Sequence, residues 1–308
     1  MSQAQPERPL RDLTQSELEA FSRDGVICVR GAYSEPWIKL GLSGIERVIS
    51  RTAVRDRHGL PDPDFRNDAL NWHGVDEIRD FALFGPGAHL VRQALQSESL
   101  NFLGDQIFVK NANTPLRAPW HHDLTFFPIT GNQCASIWVT FDSVSQRHSA
   151  LEFVAGSHLW GRRFKPEGVG GIVKSLDTFD AVPDIQSARD DYEILGWDLE
   201  PGDALIFHAL TLHGSSGNGS PDRNRRALAT RWCGDDVSFK ATGKEMKSAW
   251  AHGLKHGDKL TGPSFPRVLP EIDLISLGPR MRGPVPPDPV LAREVAQQQS
   301  QFNRIERI

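Results

Sequence analysis

Residues 118–128, APWHHDLTFFP, place two adjacent histidines and a carboxylate between aromatic side chains. In an extended strand, residues i and i+2 point to the same face. His121 and Asp123 are therefore expected to converge, whereas His122 points away, either outward or behind the site. An imidazole and a carboxylate side by side need one further ligand to form the two-histidine, one-carboxylate arrangement, which suits non-haem Fe(II) and leaves coordination positions open.

Three downstream histidines are candidates for the third ligand: His158, His208 and His213. In residues 200–218, EPGDALIFHALTLHGSSGN, a turn precedes an apolar strand that ends at His213 beside small residues, where a metal and a co-ligand have room. His208 lies inside that strand with the opposite parity and is predicted to be packed. His158 follows a Gly-Ser turn and is predicted to hold a loop. A competing interpretation makes His121 and Asp123 a buried polar pair that satisfy one another.

The elements that must position these side chains begin with a mixed α and β segment. Thr14 and Glu17 have the spacing of a capping box, and the helix they start is expected to end near Gly25. VICVRG then predicts a strand, and residues 36–53 repeat apolar side chains at helical spacing. From residue 100 to 235 the pattern changes to short β-rich runs typical of an antiparallel sandwich or barrel: QIFVK, ASIWVTFD, ALEFVAG, DALIFHALTLH and RALATRW.

The charge balance of the chain indicates which kind of molecule it binds. The chain has 308 residues and a formal net charge of -4, from 35 basic and 39 acidic residues. This balance favours a small-molecule substrate over nucleic acid or a membrane surface. There is no apolar leader and no run near the roughly 18 apolar residues that cross a bilayer, so a soluble, cytoplasmic protein is expected. Homo-oligomerisation is left open. Three cysteines without CxxC spacing are expected to be core thiols: Cys28, Cys134 and Cys233.

We predict one domain over residues 1–308, because no repeat or break in composition forces a second one. It comprises a helical and mixed part (about 1–100), a β-rich core (about 101–235) and a C-terminal extension (about 236–308) to which no role is assigned. Three segments are candidates for loops that determine specificity: residues 55–80, 161–195 and 251–266. The basic residues Arg162, Arg163 and Lys165 are expected to form a solvated turn, with contact to an anionic substrate as the alternative.

Four blocks, WHHDLTFFP, ALEFVAGSH, PGDALIFHALTLHGSSGN and RRALATRW, occur in a characteristic order. From about Leu13 to about Trp232 the chain resembles the phytanoyl-CoA dioxygenase family of Fe(II)- and 2-oxoglutarate-dependent oxygenases. The resemblance implies a mainly β fold with flanking helices around a double-stranded β-helix (jelly roll, cupin-like) core. It also implies Fe(II) held by His121, Asp123 and His213, with 2-oxoglutarate as co-substrate and O2 as oxidant.

The resemblance further implies residues that bind the co-substrate. The family's basic residue for the distal carboxylate follows the second histidine ligand, and Arg225 lies 12 residues after His213. Arg225 and Arg226 face opposite ways on a strand, and Arg225 is preferred because it stands where the family's arginine stands. A guanidinium suits this role because its planar fork pairs with a carboxylate through two bonds. Three more residues match family positions near the co-substrate: Ser215, Trp138 and Lys110.

The implied reaction is hydroxylation of an unactivated C–H bond, coupled to decarboxylation of 2-oxoglutarate to succinate and CO2. Relatives that halogenate carry Ala or Gly where this chain has Asp123, so the carboxylate favours hydroxylation or another oxidation. No substrate-binding residue is assigned. A free small molecule is favoured over a CoA thioester because the sequence shows no long basic groove. The alternative function is a non-catalytic jelly-roll protein that binds a metal or a metabolite.

Overall fold

The computed structural model describes residues 5–56, 64–165, 179–241 and 253–272. The first helix begins as predicted, because Thr14 and Glu17 form both hydrogen bonds of a capping box. It ends at Gly25, whose φ of 79° is the left-handed conformation that glycine adopts without strain. Four helices lie in the described part of the chain: α1 (Gln15–Asp24), α2 (Glu35–Asp56), α3 (Asp76–Phe84) and α4 (Gly87–Leu95).

Fifteen strands, most of them short, lie in the described part of the chain. They are β1 (Val26–Val29), β2 (Phe65–Ala69), β3 (Leu100–Lys110), β4 (Ala118–His121), β5 (Ile129–Thr130), β6 (Cys134–Thr140), β7 (Leu151–Val154), β8 (Phe164–Lys165), β9 (Asp180–Ala181), β10 (Ile194–Gly196), β11 (Ala204–His208), β12 (His213–Ser215), β13 (Arg225–Cys233), β14 (Ser238–Phe239) and β15 (Arg267–Leu269). Short 3-10 segments cover Asn71–His73, Asp123–Phe126, Ser157–Leu159 and Arg189–Asp191.

Two antiparallel sheets make up the β core. The large sheet has the strand order β1-β11-β6-β13-β3-β15, with β2 also paired to β3. The small sheet has the order β10-β7-β12-β4. Apart from β2 and β3, neighbouring strands in both sheets are not consecutive along the chain, and the chain crosses repeatedly from one sheet to the other. This is the pattern of the predicted jelly roll.

The large sheet is apolar on both faces because each face is covered. Alternate residues of its central strands, such as Ile137 and Ile206, pack with Phe81 of α3 in the larger core cluster. The residues between them, such as Trp138 and Leu205, belong to a second cluster on the opposite face, with Phe153 of the small sheet. The period-two alternation of a strand therefore divides the core into a helix-covered side and an inner side between the sheets.

The prediction of one strand through DALIFHALTLH is wrong. β11 ends at His208 in the large sheet, and β12 begins at His213 in the small sheet. The turn between them is fixed by hydrogen bonds from Thr211 N to His208 O (2.9 Å) and from Thr211 Oγ1 to Gly25 O (2.9 Å). The opposite parity of His208 and His213 therefore has no meaning, because the two residues lie in different strands.

Several predicted segments lie partly outside the described residues: positions 57–63 of the 55–80 loop, 166–178 of the 161–195 segment, and 242–252 and 273–308 of the extension, of which 251–252 also belong to the third loop. Within the extension, β15 joins the edge of the large sheet beside β3. Cys134 and Cys233 are buried, as expected of core thiols, and Cys28 is half-buried. Among the described residues, no helix is both long enough and apolar enough to span a membrane.

The Asp203 carboxylate links the start of β11 to the turn after β1 through hydrogen bonds, and its replacement tests this part of the fold. Its carboxylate accepts hydrogen bonds from Gly31 N (2.8 Å), Glu200 N (3.0 Å) and Arg30 Nη1 (2.7 Å). Asp203→Ala leaves the two backbone donors without this acceptor, so the free energy of unfolding should fall by about 1–3 kcal/mol in urea denaturation. Asp203→Asn keeps one carbonyl acceptor and should lose less. Equal stability of wild type and Asp203→Ala would contradict this role.

The same contact gives a pH dependence. Burial raises the pKa of Asp203, but the backbone donors and Arg30 outweigh burial, so the pKa lies below its ordinary value. A carboxyl with a depressed folded pKa stabilises the fold above its unfolded pKa of about 4, and this contribution is lost as the pH falls through the folded pKa. Asp203→Asn should lack this part of the acid dependence.

Candidate metal centre

The end of β4 brings His121 and Asp123 to one side of the chain. The strand stops at His121, His122 keeps an extended conformation (φ -123°, ψ 147°), and Asp123 begins a 3-10 turn. Because the backbone is extended through His122, the i, i+2 geometry expected from the sequence holds. His213, the first residue of β12, is the direct register partner of His121, and their ring centroids lie 4.3 Å apart.

The ligating atoms of these three side chains face one another. Asp123 Oδ1 lies 3.8 Å from His121 Nε2 and 3.9 Å from His213 Nε2, and the three candidate ligand atoms all lie within 4.8 Å of one another. These separations are too long for hydrogen bonds but leave room for an ion bonded to each atom. His121 Nδ1 lies 2.8 Å from Pro119 O, and His213 Nδ1 lies 3.0 Å from Thr211 O. Each Nδ1–H therefore donates to a carbonyl, and each Nε2 presents its lone pair.

Burial and neighbouring charges set the protonation of the cluster. Burial, followed by the proximity of His121, lowers the pKa of His213 to about 4. Burial raises the pKa of the Asp123 carboxyl, but Arg231 and the two histidines outweigh burial and hold that pKa well below its ordinary value. At neutral pH, a neutral His213 imidazole and an ionised carboxylate stand side by side. These are the protonation states that metal ligation requires.

Two residues that the sequence did not suggest contact Asp123. Ser136 Oγ donates to Asp123 Oδ2 at 2.8 Å, and Arg231 Nε lies 3.4 Å from the same oxygen. Arg231 is six positions after Arg225 on β13, so the even spacing was a signal that both side chains share the inner face. What the sequence did not contain was the register that sets Arg231 opposite Ser136 on β6.

A second polar cluster joins the two sheets near His213. Lys110 of β3 is fully buried, and its Nζ donates to Ser215 Oγ (2.9 Å) and Ser216 O (2.7 Å) of the small sheet. Arg225 is the register partner of Lys110 on the neighbouring strand. The structure thus brings together Lys110, Ser215 and Arg225, three of the four residues predicted to bind a co-substrate.

Trp138, the fourth, lies against the Arg225 guanidinium, whose carbon is 5.5 Å from the Trp138 ring centroid. Arg225 Nε donates to Ser149 Oγ at 3.2 Å. Its Nη1 is buried and has no hydrogen-bond partner among the described residues. Burial lowers the pKa of Arg225 to about 10, so the guanidinium remains charged at neutral pH. A buried, charged donor without an acceptor is suited to an anionic ligand.

Arg226 faces the other way. Its guanidinium pairs with Asp142 (2.5 Å) and with Glu46 of α2 (2.9 Å), on the helix-covered side of the sheet. The two neighbouring arginines therefore diverge, as strand alternation predicts.

The remaining histidines lie outside the cluster of His121, Asp123 and His213. His122 is buried rather than outward-facing, and its Nε2 accepts a hydrogen bond from Phe164 N at 2.9 Å. His208 Nε2 lies 2.7 Å from Asn132 O, and His158 Nε2 lies 3.3 Å from Ser22 O. Both contact backbone oxygens, as packed or loop-holding histidines do. Of the basic trio, Arg162 is an exposed residue paired with Asp180 at 2.9 Å.

The sequence is similar to those of known oxygenases. The family model for phytanoyl-CoA dioxygenase (PhyH) matches residues 21–227. The chain belongs to this family. The probable phytanoyl-CoA dioxygenase of Caenorhabditis elegans is 25% identical over 131 residues, 41% of this chain and 39% of that protein. The peroxisomal phytanoyl-CoA dioxygenase of Homo sapiens is 26% identical over 148 residues, 46% of this chain and 41% of that protein. The chain thus spans about two fifths of the length of these relatives.

A third relative is the probable alpha-ketoglutarate-dependent hypophosphite dioxygenase of Stutzerimonas stutzeri, 27% identical over 137 residues, 42% of this chain and 46% of that protein. Among solved structures, the non-heme alpha ketoglutarate dependent carbocyclase SnoK matches with a TM-score of 0.68 and 19% identity, over 85% of this chain and 99% of that one. EctD from S. alaskensis, with 2-oxoglutarate and 5-hydroxyectoine, matches with a TM-score of 0.56 and 16% identity, over 75% and 80%. These likenesses confirm the jelly-roll fold.

Replacement of His122 tests whether this residue, unlike its neighbour His121, has a structural role. His122→Ala leaves the buried Phe164 N–H without an acceptor, so the free energy of unfolding should fall by about 1–3 kcal/mol in urea denaturation. His158→Ala is the control, because its longer contact of 3.3 Å to Ser22 O should contribute less. A His122→Ala protein as stable as the wild type would contradict a structural role for His122.

Proposed function

We propose that this protein is an Fe(II)- and 2-oxoglutarate-dependent dioxygenase that hydroxylates an unactivated C–H bond of a small organic substrate. One observation carries most weight: the Nε2 atoms of His121 and His213 converge on Oδ1 of Asp123. Two imidazoles and one carboxylate are the donor set that suits non-haem Fe(II) and leaves positions for a co-substrate and O2. Membership of the phytanoyl-CoA dioxygenase family supports the same chemistry.

The residues around Arg225 fit 2-oxoglutarate. The distal carboxylate of the co-substrate would pair with the buried guanidinium and give Nη1 the acceptor it lacks among the described residues. Trp138 lies against this guanidinium, and Lys110, the register partner of Arg225, donates a hydrogen bond to Ser215. A buried carboxylate needs such a charged partner, because its desolvation is otherwise costly.

In the proposed reaction, bound Fe(II) supplies the capacity to activate O2 with 2-oxoglutarate, yielding succinate, CO2 and a hydroxylated substrate. The chain's own residues hold and shield the reactants. His121 and His213 keep Nε2 available by donating from Nδ1 to backbone carbonyls. Phe207 and Phe153 pack on the His213 ring, with centroid distances of 4.7 and 5.7 Å, and fix its orientation away from water.

Relatives, net charge and the residue at position 123 bear on the class of substrate. Named relatives act on phytanoyl-CoA or on hypophosphite, which span a long thioester and a small anion. The net charge of -4 does not favour a strongly anionic partner such as nucleic acid, and a free small molecule is preferred over a CoA thioester on the same ground. Asp123 occupies the position where halogenating relatives have a small residue, which supports hydroxylation.

Alanine substitutions test the metal ligands. His121→Ala, Asp123→Ala or His213→Ala should lower Fe(II) affinity by more than the ~10–100-fold that loss of an outer contact costs, and should abolish succinate formation. Asp123→Ala should be mildest in iron binding, since two histidines remain, but hydroxylation should be lost. His208→Ala is the control. Affinity is measured by anaerobic titration and turnover by succinate release, with and without candidate substrates.

Two outcomes would contradict the assignment. Loss of iron in His122→Ala with full activity in His121→Ala would mean that the wrong histidine had been chosen. Tight iron binding by the wild type without any succinate formation would favour the non-catalytic metal-binding alternative.

The two arginines test the co-substrate site. Arg225→Ala should weaken 2-oxoglutarate binding by about 3–5 kcal/mol, the usual cost of removing one partner of a buried ion pair, while Fe(II) affinity stays nearly unchanged. Arg226→Ala is the matched control on the opposite face. Binding is followed anaerobically through the visible absorption band of the Fe(II)–2-oxoglutarate complex. A large effect of Arg226→Ala without one of Arg225→Ala would overturn the choice between them.

A further inference from the structure

The two oxygens of the Asp123 carboxylate have different surroundings. Oδ1 faces His121 Nε2 and His213 Nε2 at 3.8 and 3.9 Å. Oδ2 accepts a hydrogen bond from Ser136 Oγ at 2.8 Å and lies 3.4 Å from Arg231 Nε in an ion-pair contact. Oδ2 therefore contacts Ser136 and Arg231, whereas Oδ1 is the oxygen nearest to the two histidines.

The two donors to Oδ2 come from adjacent strands. Arg231 of β13 and Ser136 of β6 are direct register partners, so both side chains rise from neighbouring points on the inner face of the large sheet. Asp123 reaches them from the 3-10 turn after β4, a strand of the small sheet. The contact thus joins the sheet that carries the histidines to the sheet that carries the arginines.

The Arg231 guanidinium is itself fixed in place. Its Nη2 donates to Gln106 Oε1 on β3, and its central carbon lies 5.5 Å from the Phe127 ring centroid. The side chain is only 10% exposed, and Nε has no hydrogen-bond partner among the described residues other than this charge contact with Asp123. A planar guanidinium can hold Gln106 and Asp123 at once from two of its nitrogens, which a lysine ammonium matches less well.

We propose that Arg231 is a positioning residue for the metal centre: together with Ser136 it holds Oδ2 of Asp123, so that Oδ1 is the oxygen presented to the ion. This inference rests on the proposed function. An aspartate carboxyl rotates broadly about its last torsion, and a hydrogen bond from Ser136 together with an ion-pair contact from Arg231 on the same oxygen restricts that rotation. Residues that orient a ligating carboxylate in this way affect metal affinity by about 10–100-fold when they are replaced.

Fe(II) affinity of the protein without 2-oxoglutarate and without O2 is the direct readout. Arg231→Met keeps the apolar stem but removes the donor and the charge, and should weaken Fe(II) binding by about 10–100-fold. Arg226→Met, on the same strand and also ion-paired but on the other face, should change it by less than about threefold. Circular dichroism of each variant confirms that the fold is retained.

Two further variants separate positioning from a merely structural contact. Arg231→Lys keeps the charge and should recover part of the lost affinity. Ser136→Ala removes the hydrogen bond to Oδ2 and should also weaken Fe(II) binding. In the double variant, the loss should be smaller than the sum of the losses in Ser136→Ala and Arg231→Met, because both residues act on one oxygen. If Arg231→Met does not fold, Ser136→Ala alone decides.

Unchanged or tighter Fe(II) binding in folded Arg231→Met, or in Ser136→Ala, would overturn the proposal, as would an equal loss in Arg226→Met. Failure of the proposed function has a different signature, namely wild-type protein that neither binds Fe(II) nor forms succinate. A wild type that turns over 2-oxoglutarate beside an unaffected Arg231→Met would refute only the role of Arg231.

Discussion

The site depends on keeping one buried carboxylate ionised beside two histidines. Asp123 is almost fully buried, and a desolvated carboxylate would ordinarily take up a proton. Arg231 offsets the desolvation from one side, and the two imidazoles face the other oxygen. The nearest contact of Arg231 is with Oδ2, whereas Oδ1 is the oxygen nearest to the two imidazoles, so the ionised carboxylate can present Oδ1 to a cation.

The two-sheet architecture follows from that requirement. The small sheet pairs β4 with β12 and so places His121 opposite His213. The donors and the cations come from the inner face of the large sheet, where period-two alternation puts Ser136, Trp138, Arg225 and Arg231 between apolar residues. Neither sheet contains the whole site. The helices cover the other face of the large sheet and bury the alternate side chains of its strands. This burial fixes the register of the strands and therefore the positions of the side chains on the inner face.

Sequence patterns predicted most of the fold and the residues that converge, for reasons that are local. The alternation around His122, the capping box at Thr14 and the divergence of Arg225 from Arg226 each depend on a few neighbouring residues. The missed features depend on pairing between distant strands. The turn that separates His208 from His213 is fixed by a hydrogen bond to Gly25, and Arg231 reaches Asp123 only because β13 pairs with β6 in one register. A single sequence carries no direct signal for such contacts.

Strand β13 presents two guanidiniums on one face, and their surroundings differ in a way that bears on function. Arg231 already faces a carboxylate of the protein, Asp123, at 3.4 Å. Arg225 is as deeply buried, yet its contacts are the neutral Ser149 hydroxyl and the Trp138 ring, and Nη1 lacks a hydrogen-bond partner among the described residues. A buried guanidinium without an ion-pair partner is costly to a fold, and under the proposed function the co-substrate would supply a carboxylate to pair with Arg225. In the proposed enzyme, one strand thus binds two carboxylates, a fixed one from Asp123 and an exchangeable one from the co-substrate.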